Sequence, residues 1–391
     1  MYSVALVLLG AGKSSRFKES LQAPKKQWLR IDELPLWLVV AKNIATYYNF
    51  NEMIIVGSDD ELFYMQKFLD SYSLNFTLIG GGSTRQESLQ NAISTIKSEY
   101  ILVSDIARSN IPKNIFNEIL QNIGKHDCVV PYLPINDTAQ YNNKYLKRED
   151  IKLIQTPQLS KTSKLKEAIK LGLYTDESSA IQANNGEILY IKGDKQSHKI
   201  TTIEDIHKLT LEPPSKKILV GFGSDIHALR EGNEIILGGI KIPCEFEIIA
   251  HSDGDIVLHA VSDAILGAIG AGDIGEWFSD TDESYKDADS AILLTKIVEF
   301  SINVGYKIRQ ADIVIFAQKP KLSQHKRDME KNIANLLNVP LTHINIKATT
   351  TEKLGFIGRA EGILVQCNVV LEYFDWKNHL GGIYEDSDNR K

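Results

Sequence analysis

Cysteine is scarce in this chain: there are three in 391 residues, Cys128, Cys244 and Cys367, far apart and never in a C-x-x-C pair. That excludes a disulfide framework and a cysteine-ligated metal, and it fits a reducing compartment. Long apolar runs are missing too. The stretch Val4–Leu9 is short and has no positive charge before it, so it reads as a buried strand and not as a signal peptide. Nothing approaches the length needed to cross a bilayer, so a cytoplasmic protein without a membrane partner is expected. No basic run interleaves with aromatics, and the net charge of −6 is small for this length, so nucleic acid is not an expected partner. No internal repeat or low-complexity tract stands out.

What is present is globular: 43% hydrophobic and 24% charged residues in a chain too long for one ordinary core. Residues 4–9, 53–56, 76–79, 100–103 and 128–130 read as strands, and 36–48, 62–69, 85–96 and 113–123 as helices between them. This βαβα order predicts an α/β domain with a mostly parallel sheet, helices on both faces, and ligands beyond the carboxyl ends of the strands. Residues 211–217 break the pattern with Pro213-Pro214 and charge. The expected organisation is a domain at 1–209, a linker at 210–217, a second α/β or α+β domain at 218–373, and a loosely held polar tail at 374–391. Strands are expected near 218–229, 234–237, 242–249, 308–317, 344–348 and 363–373, with helices at 255–268, 288–304 and 324–337.

Chemistry-bearing residues gather at strand ends. After the first strand comes Gly10-Ala11-Gly12-Lys13-Ser14-Ser15-Arg16. Glycines there let backbone N–H groups face a phosphate, with Lys13 and Arg16 as countercharge. A Walker loop would need glycine where Val7 stands, and a dinucleotide fingerprint would need one at Ser15. Lys25-Lys26-Gln27, the Gly80-to-Arg85 loop and Ser104-to-Arg108 recur at the same kind of position. Each alone is equally a solvated turn; together they suit a nucleoside triphosphate.

In the second half, Asp225 and His227 leave a strand by one face. In a helix from 255, Asp255, His259 and Asp263 share a face at i, i+4 spacing. Two histidines and an aspartate with one tetrahedral position open is the ligand count of a catalytic zinc, although hydrogen-bonded polar groups are the plainer alternative.

The first half carries Ala11-Gly12 with Arg16-Phe17, Lys26-Gln27, Gly81-Gly82 with Arg85 and Ser88, Asp105 with Ala107-Arg108, Asp137-Thr138, Arg148, Thr156-Pro157-Gln158, and Lys199 before Thr202-Ile203-Glu204-Asp205. On these motifs it resembles the 2-C-methyl-D-erythritol 4-phosphate cytidylyltransferases, a nucleotidyltransferase family with a Rossmann-like fold. The resemblance implies attack of the substrate phosphate on the α-phosphorus of CTP, with pyrophosphate released. Arg16 and Lys26 would stabilise the crowded oxygens, and magnesium would accompany the triphosphate beside Asp105. Gly12, Gly81, Gly82, Arg85 and Ser88 would hold the nucleotide, while Arg148, Thr138 and Lys199 would face methylerythritol phosphate. Ser14 stands where glycine is usual, Arg108-Ser109 where arginine-proline is usual, and Lys25-Lys26 is doubled. Lys26 is chosen because it directly precedes Gln27.

The second half carries Gly223 to His227, Leu237-Gly238-Gly239, His251 to Ala260, Gly272-Asp273-Ile274-Gly275, Phe278 to Asp282, Ala317 to Lys321, and Lys347 to Phe356. On these motifs it resembles the 2-C-methyl-D-erythritol 2,4-cyclodiphosphate synthases. The resemblance implies zinc on Asp225, His227 and His259, with a magnesium on Glu352. The 2-phosphate of a cytidine diphosphate substrate would attack its own β-phosphorus and expel CMP. Thr349, Thr350 and Arg359 would meet the nucleotide phosphates, Phe356 would be a further nucleotide-binding residue, Lys321 would meet the cytidine, and Asp273 and Gly275 the erythritol hydroxyls. His251 would belong to a mobile segment over the substrate, and Asp255 and Asp263 would be supporting residues. The family forms trimers, so a homo-oligomer with shared sites is expected. Competing readings are a working cyclase on a non-catalytic first domain, or a sugar-nucleotide transferase fused to a zinc phosphohydrolase.

Overall fold

The computed structural model describes residues 2–18, 23–208, 211–250, 252–279 and 288–378. It separates into two compact units, the first built mainly from residues up to Pro213 and the second from Pro214 to Asp375.

The first unit is an eight-stranded sheet. Its strands are β1 (Val4–Leu9), β2 (Glu52–Gly57), β3 (Thr77–Gly80), β4 (Tyr100–Asp105), β5 (Cys128–Pro134), β6 (Lys152–Ile154), β7 (Gln158–Lys161) and β8 (Ile188–Lys192). The order is β6-β5-β7-β4-β1-β2-β3, with β8 beside β5. Every residue of β1 is buried, because alternate side chains enter cores on opposite faces of the sheet. Ala5, Val7 and Leu9 pack with Leu89, Ala92 and Ile93 of α1 (Arg85–Thr95).

Strands β4, β1, β2 and β3 run parallel, as the alternation predicts. The other half departs from it: β7 is antiparallel to both β4 and β5, and β6 is antiparallel to β5. Gln158-Leu159-Ser160-Lys161 lacks an apolar strand signature, yet Gln158 and Ser160 are fully buried. Their polar atoms are satisfied by Ser178 N–H, the Gln155 carbonyl and Cys128 Sγ. Chain order runs outward from β1 through β2 and β3, then returns to β4 on the other side. The switch point between β1 and β4 is where such sheets open a crevice.

The second unit has a five-stranded sheet, β12-β9-β15-β13-β14. Its strands are β9 (Ile218–Glu231), β12 (Phe246–Ile248), β13 (Tyr306–Phe316), β14 (Ile344–Thr349) and β15 (Gly362–Tyr373), with β10 (Glu234–Leu237) and β11 (Ile240–Pro243) paired apart. The helix α3 (Ile256–Ile269) lies on β9; between it and α1 in the chain, α2 (Glu177–Ala183) belongs to the first unit. A Cβ on Gly221 would sit 1.8 Å from the Ala264 carbonyl oxygen, and one on Gly223 2.0 Å from that of Ala260. Only glycine admits so close a backbone. By strand parity Asp225 and His227 share the glycines' face, toward α3. Ile218, Val220, Phe222 and Ile226 leave by the opposite face and are each more than half exposed.

The polar tail expected from residue 374 begins with two buried side chains, Phe374 and Trp376. The indole N–H of Trp376 donates to the Arg30 carbonyl at 2.6 Å, which ties this start of the tail down. Residues 379–391, His251 and the 280–282 part of the Phe278 motif lie outside the described residues. Among the described residues no helix is long and apolar enough to cross a membrane.

Candidate active sites

At the switch point of the first sheet is a cleft of about 360 Å³. Its lining includes Gly12, Arg16, Lys26, Gly82, Arg85, Ser88, Asp105 and Lys199, from the loops after β1, β3 and β4 and from the end of the unit. Short hydrogen bonds hold these loops. Gly81 N–H donates to the Gly57 carbonyl at 2.9 Å. Ser88 Oγ accepts from Gly82 N–H at 3.1 Å and donates to the Thr84 carbonyl at 2.9 Å. Gly81 is not a lining residue, but a Cβ there would come within 2.3 Å of Ala11, so it lets two cleft loops meet.

Ser14, where glycine was expected, adopts φ +57°, the left-handed region that disfavours side chains. Its hydroxyl compensates by accepting from Lys26 N–H at 3.1 Å and contacting Gln27 Oε1 at 3.2 Å. The first phosphate-type loop is thereby tied to the Lys26 turn.

The doubled lysine separates cleanly. Lys25 Nζ lies 2.5 Å from Glu61 Oε1, and Trp28 Nε1 donates to Glu61 Oε2 at 2.7 Å, all buried away from the cleft. Lys26 lines the cleft and donates to the Ile200 carbonyl at 3.0 Å. Burial, then repulsion from Lys199 and Arg16 against the pull of Asp105, lowers Lys26 from its ordinary 10.5 to about 8.

Asp105 is the anionic centre of this cationic cluster. Lys199 Nζ donates to it at 2.6 Å and Arg85 Nε at 3.1 Å. Burial favours its neutral form, but Arg85 and Lys199 outweigh that and hold the carboxyl well below the usual carboxylate range. Arg85 is itself gripped by Glu177, at the fully buried start of α2, through bonds of 2.8 and 3.3 Å. Arg108, half of a motif and given no role from sequence, donates to Thr156 Oγ1 at 3.0 Å and the Ser197 carbonyl at 2.6 Å. Glu177 had no signal in the sequence, because its link to Arg85 spans 92 residues with no fixed spacing. Arg148 does not line the cleft; it is exposed and donates to the Asn136 carbonyl at 3.0 Å.

In the second unit Asp225, His227 and His259 form a half-buried triad whose ligand atoms all lie within 4.8 Å. His259 Nδ1 is 3.1 Å from Asp225 Oδ2, and His227 Nε2 is 3.4 Å from Asp225 Oδ1. Burial pushes the Asp225 carboxyl up, but the His227 and His259 rings beside it outweigh that and keep the group low. One carboxylate and two imidazoles converging without a lysine or arginine among them fit a divalent metal.

Asp255 does not share the triad's face. The helix begins one residue later, and Asp255 is its fully buried N-cap. It accepts from Gly238, Gly239, Val257 and Leu258 N–H groups, and burial pushes its carboxyl up against them. Asp263 accepts from Ile274 N–H at 2.8 Å and so anchors the next loop. Asp273 caps that loop's short helix and is exposed, as is Gly275.

Lys321, Thr349, Thr350, Glu352, Phe356 and Arg359 are exposed as well. Thr350 Oγ1 donates to Glu352 Oε1 at 3.0 Å, and Arg359 forks onto Glu361 at 2.8 and 2.9 Å. Glu352 is not part of the triad. Sequence reading missed Asp253 and Ser290, which support His259: Ser290 Oγ stands 2.9 Å from His259 Nε2.

Residues 4–210 match the family described as 2-C-methyl-D-erythritol 4-phosphate cytidylyltransferase, and residues 218–372 match the YgbB family. The bifunctional enzyme IspD/IspF of Campylobacter fetus subsp. fetus is 50% identical over 97% of this chain and 100% of its own length. That of Aliarcobacter butzleri is 45% identical over 96% and 100%. The solved bifunctional IspDF from Campylobacter jejuni is 44% identical and superposes with a TM-score of 0.84, covering 96% of this chain and 99% of its own.

Proposed function

This chain belongs to the family of bifunctional IspD/IspF enzymes, and from that premise we propose how its residues divide two reactions. It acts in the methylerythritol phosphate route to isoprenoids, catalysing cytidylyl transfer and cyclodiphosphate synthesis. We assign residues 1–209 to the first reaction and 218–373 to the second, joined by 210–217.

In the first reaction methylerythritol phosphate attacks the α-phosphorus of CTP, and pyrophosphate leaves. The observation that carries the assignment is the gathering of Arg16, Lys26 and Lys199 around Asp105 at the sheet switch point. Negative charge grows on the oxygens about phosphorus, and cations already in position stabilise it without reorganising. Gly12, Gly81, Gly82 and Ser88 shape the nucleotide loops, and Arg85 braces Asp105. Magnesium would arrive on the triphosphate, since Arg85 and Lys199 already engage both Asp105 oxygens. Arg148 would reach methylerythritol phosphate only from a position it does not occupy in the single chain.

In the second reaction the 2-phosphate of the cytidine diphosphate substrate attacks its β-phosphorus, closing a ring and releasing CMP. Asp225, His227 and His259 would hold a divalent ion, which we take to be zinc; when bound it supplies Lewis-acid polarisation of the phosphates. Thr349, Thr350, Phe356 and Arg359 would bind the nucleotide, with Glu352 offering a carboxylate to its magnesium. Lys321 would meet the cytidine, and Asp273 and Gly275 the erythritol hydroxyls. These groups are exposed in one chain, which supports a trimer in which neighbours complete each site. The apolar face of Ile218, Val220, Phe222 and Ile226 is the natural seam for it.

The test is direct. Purified protein with CTP, methylerythritol phosphate and magnesium should release pyrophosphate, and with the cytidine diphosphate substrate it should release CMP. Free phosphate in place of CMP would point to a hydrolase instead. His259→Ala should abolish CMP release and leave pyrophosphate release intact; loss of both would overturn the assignment of separate sites.

A further inference from the structure

We propose that Ser290, itself oriented by Asp253, is a positioning residue that decides which nitrogen of His259 faces the metal position. The inference rests on the metal reading of the Asp225–His227–His259 triad and adds to it the device that prepares the ligand.

Ser290 opens α4 (Ser290–Asn303) and is 1% exposed. Its backbone N–H donates to Asp253 Oδ2 at 3.1 Å, and its hydroxyl donates to Asp253 Oδ1. An ionised carboxylate only accepts, so the single hydroxyl proton of Ser290 is committed to Asp253. Ser290 Oγ then offers only lone pairs to its other neighbour, His259 Nε2, 2.9 Å away. A lone pair facing a lone pair repels, so Nε2 must carry the ring proton. In neutral imidazole the remaining lone pair is then on Nδ1, which faces Asp225 Oδ2 from 3.1 Å, a pairing of two acceptors that a shared divalent cation reconciles. Ser252 Oγ, 3.4 Å from Nε2, accepts from Gly254 N–H and adds a weaker contact on the same side.

His227 is set by the same logic from the opposite nitrogen. Its Nδ1 lies 2.8 Å from the Ile249 carbonyl, which can only accept, so Nδ1 carries the proton and Nε2 turns its lone pair toward Asp225. Two rings, each pinned by an acceptor behind it, therefore present lone pairs to one point beside one carboxylate. The Ile249 carbonyl is backbone and cannot be mutated away. Ser290 and Asp253 are the part of the device that side-chain substitution can remove, and outer partners of this kind commonly contribute 10–100-fold in metal affinity.

The test uses the full chain freed of metal and titrated with Co2+ in competition with a chromogenic chelator, reading affinity and the visible ligand-field bands together. Ser290→Ala should weaken Co2+ binding by roughly 10–100-fold and change the bands, while Ser290→Thr, which keeps the hydroxyl, should restore both to near wild type. Thermal unfolding of the metal-free proteins checks that folding is unchanged. Should Ser290→Ala fail to fold, Asp253→Asn decides: its amide can donate to Ser290 Oγ, release the hydroxyl proton toward Nε2 and favour the wrong tautomer, so affinity should again fall. Wild-type affinity and bands in the variant that folds would overturn the proposal. Failure of the wild-type protein to bind Co2+ would overturn the metal reading on which it rests, a distinct outcome.

Discussion

Lys25 and Lys26 are adjacent, yet their ammonium groups face different problems. Lys25 neutralises a carboxylate that has no access to water, so Lys25→Ala strands the Glu61 charge in the core. Removing one partner of a buried pair costs about 3–5 kcal/mol, and the variant should unfold at clearly lower denaturant. Lys26→Ala should instead lose pyrophosphate release with little loss of stability. Should the two phenotypes be exchanged in chemical denaturation and turnover assays, the catalytic assignment moves to Lys25. Lys26 also carries a pH signature. Its folded value of about 8 lies below the ordinary 10.5, so between them the folded chain binds fewer protons than the unfolded one. The cost of burying the cation is complete below pH 8 and fades as pH rises toward 10.5. A triphosphate beside Lys26 raises its affinity for a proton. CTP binding near pH 8 should therefore take up protons, seen as buffer-dependent heats in calorimetry and absent in Lys26→Ala. Residues of this kind were partly legible: Lys26 could be favoured by its place before Gln27, and Asp225 and His227 by strand parity. Glu177, Asp253 and Ser290 were not, because they reach their partners only through tertiary packing, with no spacing to read.

At the scale of elements, the triad exists because α3 lies against β9 more closely than side chains normally allow. Gly223→Ala would press a Cβ onto the Ala260 carbonyl, one residue from His259, and backbone on both sides leaves the helix as the part that must move. Overpacking of this sort costs about 1–3 kcal/mol, and a shift of His259 away from Asp225 should weaken Co2+ binding while pyrophosphate release is kept. Gly267→Ala is the matched control: its Cβ would meet only the Phe222 carbonyl oxygen, at 3.8 Å, and alanine favours the helix. Equal metal affinity in both variants would mean that close helix approach does not set the site. The elements themselves were legible where apolar residues are dense, as in β1, α3 and β15. The antiparallel half of the first sheet was not, since β7 is a short polar segment whose burial depends on Gln158 and Ser160 finding partners. The start of α3 was misjudged by one residue for a related reason: Asp255 looks helical in sequence, but its carboxylate is occupied as the cap and by Gly238 and Gly239.

For the whole molecule, the trimer proposed above bears on one reaction more than on the other. Gly12, Arg16, Lys26, Gly82, Arg85, Ser88, Asp105 and Lys199 of the first unit line one cleft within a single chain. In the second unit the triad is assembled, but the groups assigned to cytidine and phosphates stand exposed on its surface, and a row of apolar side chains on β9 faces outward. A carboxylate in the middle of that row would be desolvated by association and should prevent it. Phe222→Asp replaces a side chain that points away from α3, so the fold of the unit and the triad should survive. On the proposed trimer, sedimentation should then show a smaller species than for the wild type, with Co2+ affinity retained and CMP release lost. A smaller species that still releases CMP at the wild-type rate would mean that each chain completes its own cyclase site, and the exposed nucleotide groups would have to close over the triad from within.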